Sequence, residues 1–155
     1  MIGIDLAALA EVREALRPLP TEEGGVIVVL ATAGVPPAVA MLSSGDVLVA
    51  EDRVRAALYA GASAGGRLGG AFTLLVPTGE RAVRVEVGDA SAREEGRLVL
   101  IEGVLAAVRP TAEPPWGIDM RFSPTAGEGV AEFLEYWQSV RRWLEGGATG
   151  APPLS

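Results

Sequence analysis

Apolar and polar positions alternate along this chain in short blocks, and the period of each block predicts what it forms. Leu6, Leu9, Val12 and Leu16 recur at near-helical spacing between Asp5, which can cap a helix, and Pro18 and Pro20, which end one, so a helix is expected over Asp5 to Arg17. After the polar break Thr21 to Gly25, the run Val26 to Thr32 is continuous and apolar, of strand length. Gly34-Val35-Pro36-Pro37 turns the chain, and Ala38 to Leu42 reads as a returning strand that Pro37 can begin without losing a needed ladder donor. Two more strands, Val47 to Ala50 and Val54 to Tyr59, follow the turns Ser43 to Asp46 and Glu51 to Arg53.

Residues 60–70 are almost all small, with one or two helical turns expected around Ser63 to Leu68, and Phe72 to Val76 is a further strand closed by Pro77-Thr78-Gly79. The longest pair is Arg81 to Arg93 with Arg97 to Arg109, joined by Glu94-Glu95-Gly96, where glycine supplies the positive φ a hairpin bulge wants. Val83, Val85 and Val87 alternate with Arg84 and Glu86, giving one buried and one wet face. Gly88 and Gly103 interrupt these strands where a bulge or sharp bend lets a sheet curl, which predicts a barrel.

Trp116 to Phe122 reads as a last strand, and Thr125-Ala126-Gly127-Glu128 is a capping box for a final helix. Val130, Phe133, Leu134, Trp137, Val140 and Leu144 form its apolar stripe, with Tyr136 and Trp143 to one side as candidates for an exposed interface. Gly146-Gly147 stop the helix. The expected organisation is one domain over 1–145 and a disordered tail over 146–155. The fold class is mainly β: an antiparallel barrel with the N-terminal and C-terminal helices packed on it.

Composition narrows the chemistry. The chain of 155 residues has no His, Cys, Lys or Asn, which excludes an imidazole base, a thiolate nucleophile, a Schiff-base amine and a Cys/His zinc site. All 13 basic residues are Arg, as GC-rich coding would give, and a thermophilic source fits the same composition. With a net charge of −7 and scattered arginines, a nucleic-acid partner is not expected. No apolar run is long enough to span a bilayer and the N-terminus lacks a basic start, so a cytoplasmic location without membrane association is expected. Glu94, Glu95, Glu102 and Asp119 do not form a metal-binding loop pattern, and Ser43, Ser44 and Ser63 have no base to activate them for hydrolysis.

The order of elements, with the stretch Asp46 to Tyr59, the Gly61-Ala62-Ser63 to Arg67-Leu68 segment and the strand from Phe72, resembles the flavin-binding split barrel family typified by pyridoxamine 5'-phosphate oxidase-like proteins. That resemblance covers most of residues 5–122. It implies a split barrel that forms a homodimer and binds FMN at the interface. Arg55, Ser63 and Arg67 would hold the phosphate, Ala57, Leu58 and Tyr59 would lie along the isoalloxazine ring, and Trp116 would sit near it. If the protein is an oxidoreductase, the flavin carries the electrons. The chain departs from the family in having Pro37-Ala38-Val39-Ala40 and Gly65-Gly66-Arg67 where basic residues are usual. The alternative is a non-catalytic dimeric barrel that has lost flavin and binds another small molecule or a protein partner. Each residue also has an ordinary structural reading: Arg55 as a solvated strand position, Arg67 as a partner of a surface carboxylate, Trp116 as a plug in the barrel end.

Overall fold

A computed structural model describes residues 3–21, 23–59, 68–79, 81–111, 121–122 and 130–153. Its elements are α1 (Leu6–Leu16), β1 (Gly25–Thr32), β2 (Val39–Ser43), a single 3-10 turn (Ser44–Asp46), β3 (Val47–Ala50), β4 (Arg53–Tyr59), β5 (Phe72–Pro77), β6 (Ala82–Glu95), β7 (Leu98–Pro110), β8 (Arg121–Phe122) and α2 (Val130–Glu145). Asp5 caps α1 as expected, its Oδ1 accepting from the Ala8 amide at 3.0 Å. The long hairpin turns more tightly than its sequence suggests. Glu94 and Glu95 pair with Val99 and Leu98, leaving only Gly96 and Arg97 as the loop, with Gly96 at φ 63°.

Seven strands run in the order β2-β1-β5-β6-β7-β4-β3, every neighbouring pair antiparallel, while β8 pairs with the first two residues of β1. This order forces the sheet to curl. Laid flat, seven strands would set β2 and β3 about 29 Å apart. Yet these two edge strands are consecutive in the chain, joined by the three residues Ser44–Asp46, and such a link reaches no more than about 14 Å. The sheet therefore bends round until its edges nearly meet, without pairing to one another: an antiparallel split barrel.

The bend has a visible site in the long hairpin. The β6–β7 register shifts between Glu86 and Val87 and again between Gly88 and Ser91, with Asp89 at φ 47°. Of the two glycines expected to matter here, Gly103 is the one under steric demand. A Cβ on it would lie 2.5 Å from Val87 Cγ1 and 2.7 Å from the Gly88 carbonyl oxygen, whereas a Cβ on Gly88 would meet only Ala106 Cβ at 3.9 Å.

Alternation along the strands makes two cores. Val54, Ala56 and Leu58 of β4 join Val28, Leu30, Phe72, Leu74, Val85 and Ile101 in the barrel interior, and α1 adds Ala8, Leu9, Val12 and Leu16 to the same cluster. The opposite face of β4 and β7 carries Ala57, Leu98 and Leu100, which Val140, Trp143 and Leu144 of α2 cover to form the second core. Trp143 is thus buried within the subunit rather than left for an interface, and Phe133, expected in the buried stripe, is exposed. The helix is turned about its axis from the expected orientation, because Tyr136, Trp137, Val140, Trp143 and Leu144 give it the broader apolar face. Where the tail was expected to begin, Gly146–Ala148 instead make a packed turn: Ala148 is buried in the second core and its carbonyl oxygen accepts from Arg93 Nη2 at 2.7 Å. No described helix is long and apolar enough to cross a membrane.

Candidate functional site

The strand lengths leave a gap at the seam of the barrel. β3 pairs only with Arg53 to Ala56 of β4, so the last residues of that strand, Ala57, Leu58 and Tyr59, run past the end of β3 while still paired to β7 on their other side. Across the seam stands β2, paired to β1 alone. A cavity of about 710 Å³ lies between them, lined by consecutive residues of both strands, Val39 to Leu42 and Ala57 to Tyr59, and by Glu132, Phe133, Tyr136 and Trp137 of α2. Consecutive lining residues mean that strand edges, not only faces, look into it. Its size is that of a site for a small organic molecule.

Asp46 is the buried charged group of the lining. It closes the 3-10 turn as a capping box: its Oδ2 accepts from the Ser43 amide at 2.9 Å and from Ser43 Oγ at 3.0 Å, while Ser43 Oγ accepts from the Gly45 amide. Burial raises its pKa above the ordinary value, opposed by the hydrogen bonds from Ser43, by one from the Trp137 side chain and by the nearby Arg141. Tyr136 is pushed well above the usual phenol range, first by burial and then by Asp46 and Tyr59 beside it.

Arg141 fastens the region from below. Its guanidinium donates to the carbonyl oxygens of Arg17 at 2.9 Å, Leu16 at 2.6 Å and Ser44 at 2.7 Å, tying α2 to the end of α1 and to the 3-10 turn. Sequence reasoning passed over both Asp46 and Arg141. The Ser43-x-x-Asp46 spacing was a legible capping signal, but the role of Arg141 depends on a helix crossing that no local pattern contains.

Of the residues that the resemblance singled out, Ala57, Leu58 and Tyr59 line this cavity together. Arg55 does not. It stands directly opposite Glu102 on β7, their side chains form an ion pair, and its Nη1 lies 3.4 Å from the Leu144 carbonyl oxygen at the end of α2. Glu102 also holds Arg53 at 3.1 Å. Arg55 is therefore neither a solvated strand position nor turned toward the cavity. Ser63, Arg67 and Trp116 lie outside the described residues.

FMN has an apolar ring end and an anionic phosphate end. The ring end fits: an apolar cavity with aromatic walls suits an isoalloxazine. The phosphate end does not, among the described residues, because the charged lining side chains are Asp46 and Glu132 and Arg55 is engaged by Glu102.

Fold and site together define a curled antiparallel half-barrel with a ligand-sized cavity at its open seam. No family model matches the chain, and no curated protein matches it. Among solved structures, it is similar to the crystal structure of a "Putative Pyridoxamine 5'-phosphate oxidase" from Listeria innocua, with a TM-score of 0.44 and 12% identity over 68% of this chain and 93% of that one. That likeness concerns the path of the chain; the site described above rests on this chain's own geometry.

Proposed function

We propose that this chain is a non-catalytic split barrel that binds a small, largely apolar molecule in the seam cavity. One observation carries the reading: the cavity is ligand-sized and aromatic-walled, yet its described lining offers no cation to a phosphate. The absence of His, Cys and Lys agrees with a binding role, since the usual protein-borne bases and nucleophiles are missing.

A second reading keeps the flavin. It is favoured by the placement of Ala57, Leu58 and Tyr59 on the cavity wall, as the split-barrel resemblance implied, and it needs Ser63 and Arg67 for the phosphate. The two readings separate in a titration of FMN and riboflavin followed by flavin fluorescence. Our reading expects FMN to bind no better than riboflavin, because the phosphate gains nothing. FMN binding at least tenfold tighter than riboflavin, abolished by Arg67→Ala, would restore the flavin reading.

Association of two copies is part of the proposal. Val39, Met41, Tyr59 and Phe133 are each more than half exposed and surround the cavity mouth, a continuous apolar surface of the kind that interfaces cover. Sedimentation equilibrium should give twice the chain mass, and Met41→Glu should shift it toward the single chain.

A further inference from the structure

We infer that the ligand of the seam cavity is an organic cation, an amine or quaternary ammonium group carried on an apolar or aromatic body. This rests on the reading of the cavity as a small-molecule site and adds the sign of the ligand's charge. Asp46 and Glu132 are the charged side chains of the described lining, one buried and the other exposed, so both charges that face the cavity are negative. Two carboxylates in the lining disfavour an anion, and a cation gains from their charge where a neutral ligand of the same shape does not.

The walls favour the same sign of ligand. Tyr59, Phe133, Tyr136 and Trp137 are half of the aromatic residues in a chain that is only 5% aromatic, and all four line this one cavity. Phe133 and Trp137 sit with ring centroids 6.0 Å apart, tilted by 36°. Ring faces carry negative partial charge, so aromatic walls with carboxylates behind them favour cations over neutral molecules of the same shape.

Asp46 acts without leaving its post. Ser43 and Trp137 hold its carboxylate, so a cation gains from its field through a low-dielectric path and need not displace either partner. The groups that face Asp46 are Ser43 from the turn and Trp137, Tyr136 and Arg141 from α2. Among the described residues, Arg141 is the cation that competes for Asp46. Its guanidinium is committed to three carbonyl oxygens and lines a separate recess with Arg13 and Arg17. Because burial raises the pKa of Asp46, a bound cation should lower it again, and binding should tighten as pH rises across its titration.

The test uses the full chain and a neutral fluorescent reporter, N-phenyl-1-naphthylamine, displaced in turn by benzyltrimethylammonium, by its uncharged isostere neopentylbenzene and by benzenesulfonate. The cation should compete about tenfold more strongly than the isostere, and benzenesulfonate should not compete. Glu132→Gln, at an exposed helix position, should weaken the cation about threefold and the uncharged isostere by less. If the reporter binds but cation and isostere compete equally, or the sulfonate competes best, the cation inference is overturned and the small-molecule reading survives. Failure of the reporter to bind, with no quenching of tryptophan fluorescence by benzyltrimethylammonium, overturns both. Quenching by the cation alone supports both.

Discussion

Gly103 to alanine tests the bend of the barrel at the place where the backbone leaves no room. A Cβ at this position of β7 would approach Val87 Cγ1 to 2.5 Å, the Gly88 carbonyl oxygen to 2.7 Å and Ala90 Cα to 3.2 Å. Val87 is buried in the barrel interior, and a β-branched side chain has few rotamers to escape into. The Gly88 oxygen belongs to a strand still paired with β7 through Val104, so it can move only by shifting β6 against β7. Overpacking of this kind costs about 1–3 kcal/mol, and the stiffer unfolded chain returns about 0.4–1 kcal/mol of it. With backbone in the way, the net loss should fall near 2 kcal/mol, a drop of roughly 4–8 °C in Tm for a domain of this size. Gly88→Ala is the matched control. Its Cβ would meet only Ala106 Cβ at 3.9 Å, and its φ is not left-handed, so its stability should stay within about 0.5 kcal/mol of the parent chain. Urea unfolding followed by circular dichroism reads both. A Gly103→Ala chain as stable as the parent, or a Gly88→Ala chain that loses more, would refute the bend as described.

Three further outcomes are expected. Arg141→Lys should lose about 1–3 kcal/mol in urea unfolding, because one ammonium replaces a fork that reaches three carbonyl oxygens at once; an unchanged midpoint would show that α2 is held by its apolar face alone. Leu144→Ala empties a fully buried position of the second core and should cost about 2–5 kcal/mol; a loss well below this would mean that α2 is loosely seated. For Asp46, the folded pKa lies above the 3.8 of the free side chain, so its protonation favours folding below 3.8 and that contribution is lost as pH rises through the folded value. The stability of the parent chain relative to Asp46→Asn should therefore fall with rising pH across this window, and parallel pH profiles would contradict it.

Local pattern made most of the fold legible. The apolar run of β1, the alternation in β6 and the cap at Asp5 are decided by neighbours in sequence, and the structure has each of them within a residue or two. What the sequence could not supply is the rotation of α2 and the fate of the arginines. Phe133 and Trp143 exchange their expected places because burial of a helix face is settled by what lies beneath it, here Ala57, Leu98 and Leu100. Arg55 was read against a ligand because the split-barrel resemblance implied a phosphate there, and as a solvated position from its place on a strand. Its actual partner, Glu102, lies far along the chain and becomes its neighbour only through the pairing of β4 with β7. The cavity was legible only in part: Ala57 to Tyr59 came from resemblance, while β2 and α2 enter the lining through the curl of the sheet.

A single feature of strand length links the architecture to the site. Because β3 is four residues long and β4 seven, the sheet reaches its seam with three residues of β4 uncovered, and the short link from β2 brings a second uncovered edge to face them. Closing such a gap by direct pairing would require β3 to extend over Ala57 to Tyr59, but the chain before Val47 is committed to the turn that Ser43 and Asp46 hold together. The same carboxylate that ends β2 and starts β3 therefore prevents the barrel from closing and supplies the buried charge of the space left open. Stability of the turn and recognition in the cavity depend on one side chain, so a ligand that draws on the charge of Asp46 also acts on the joint that keeps its own site open.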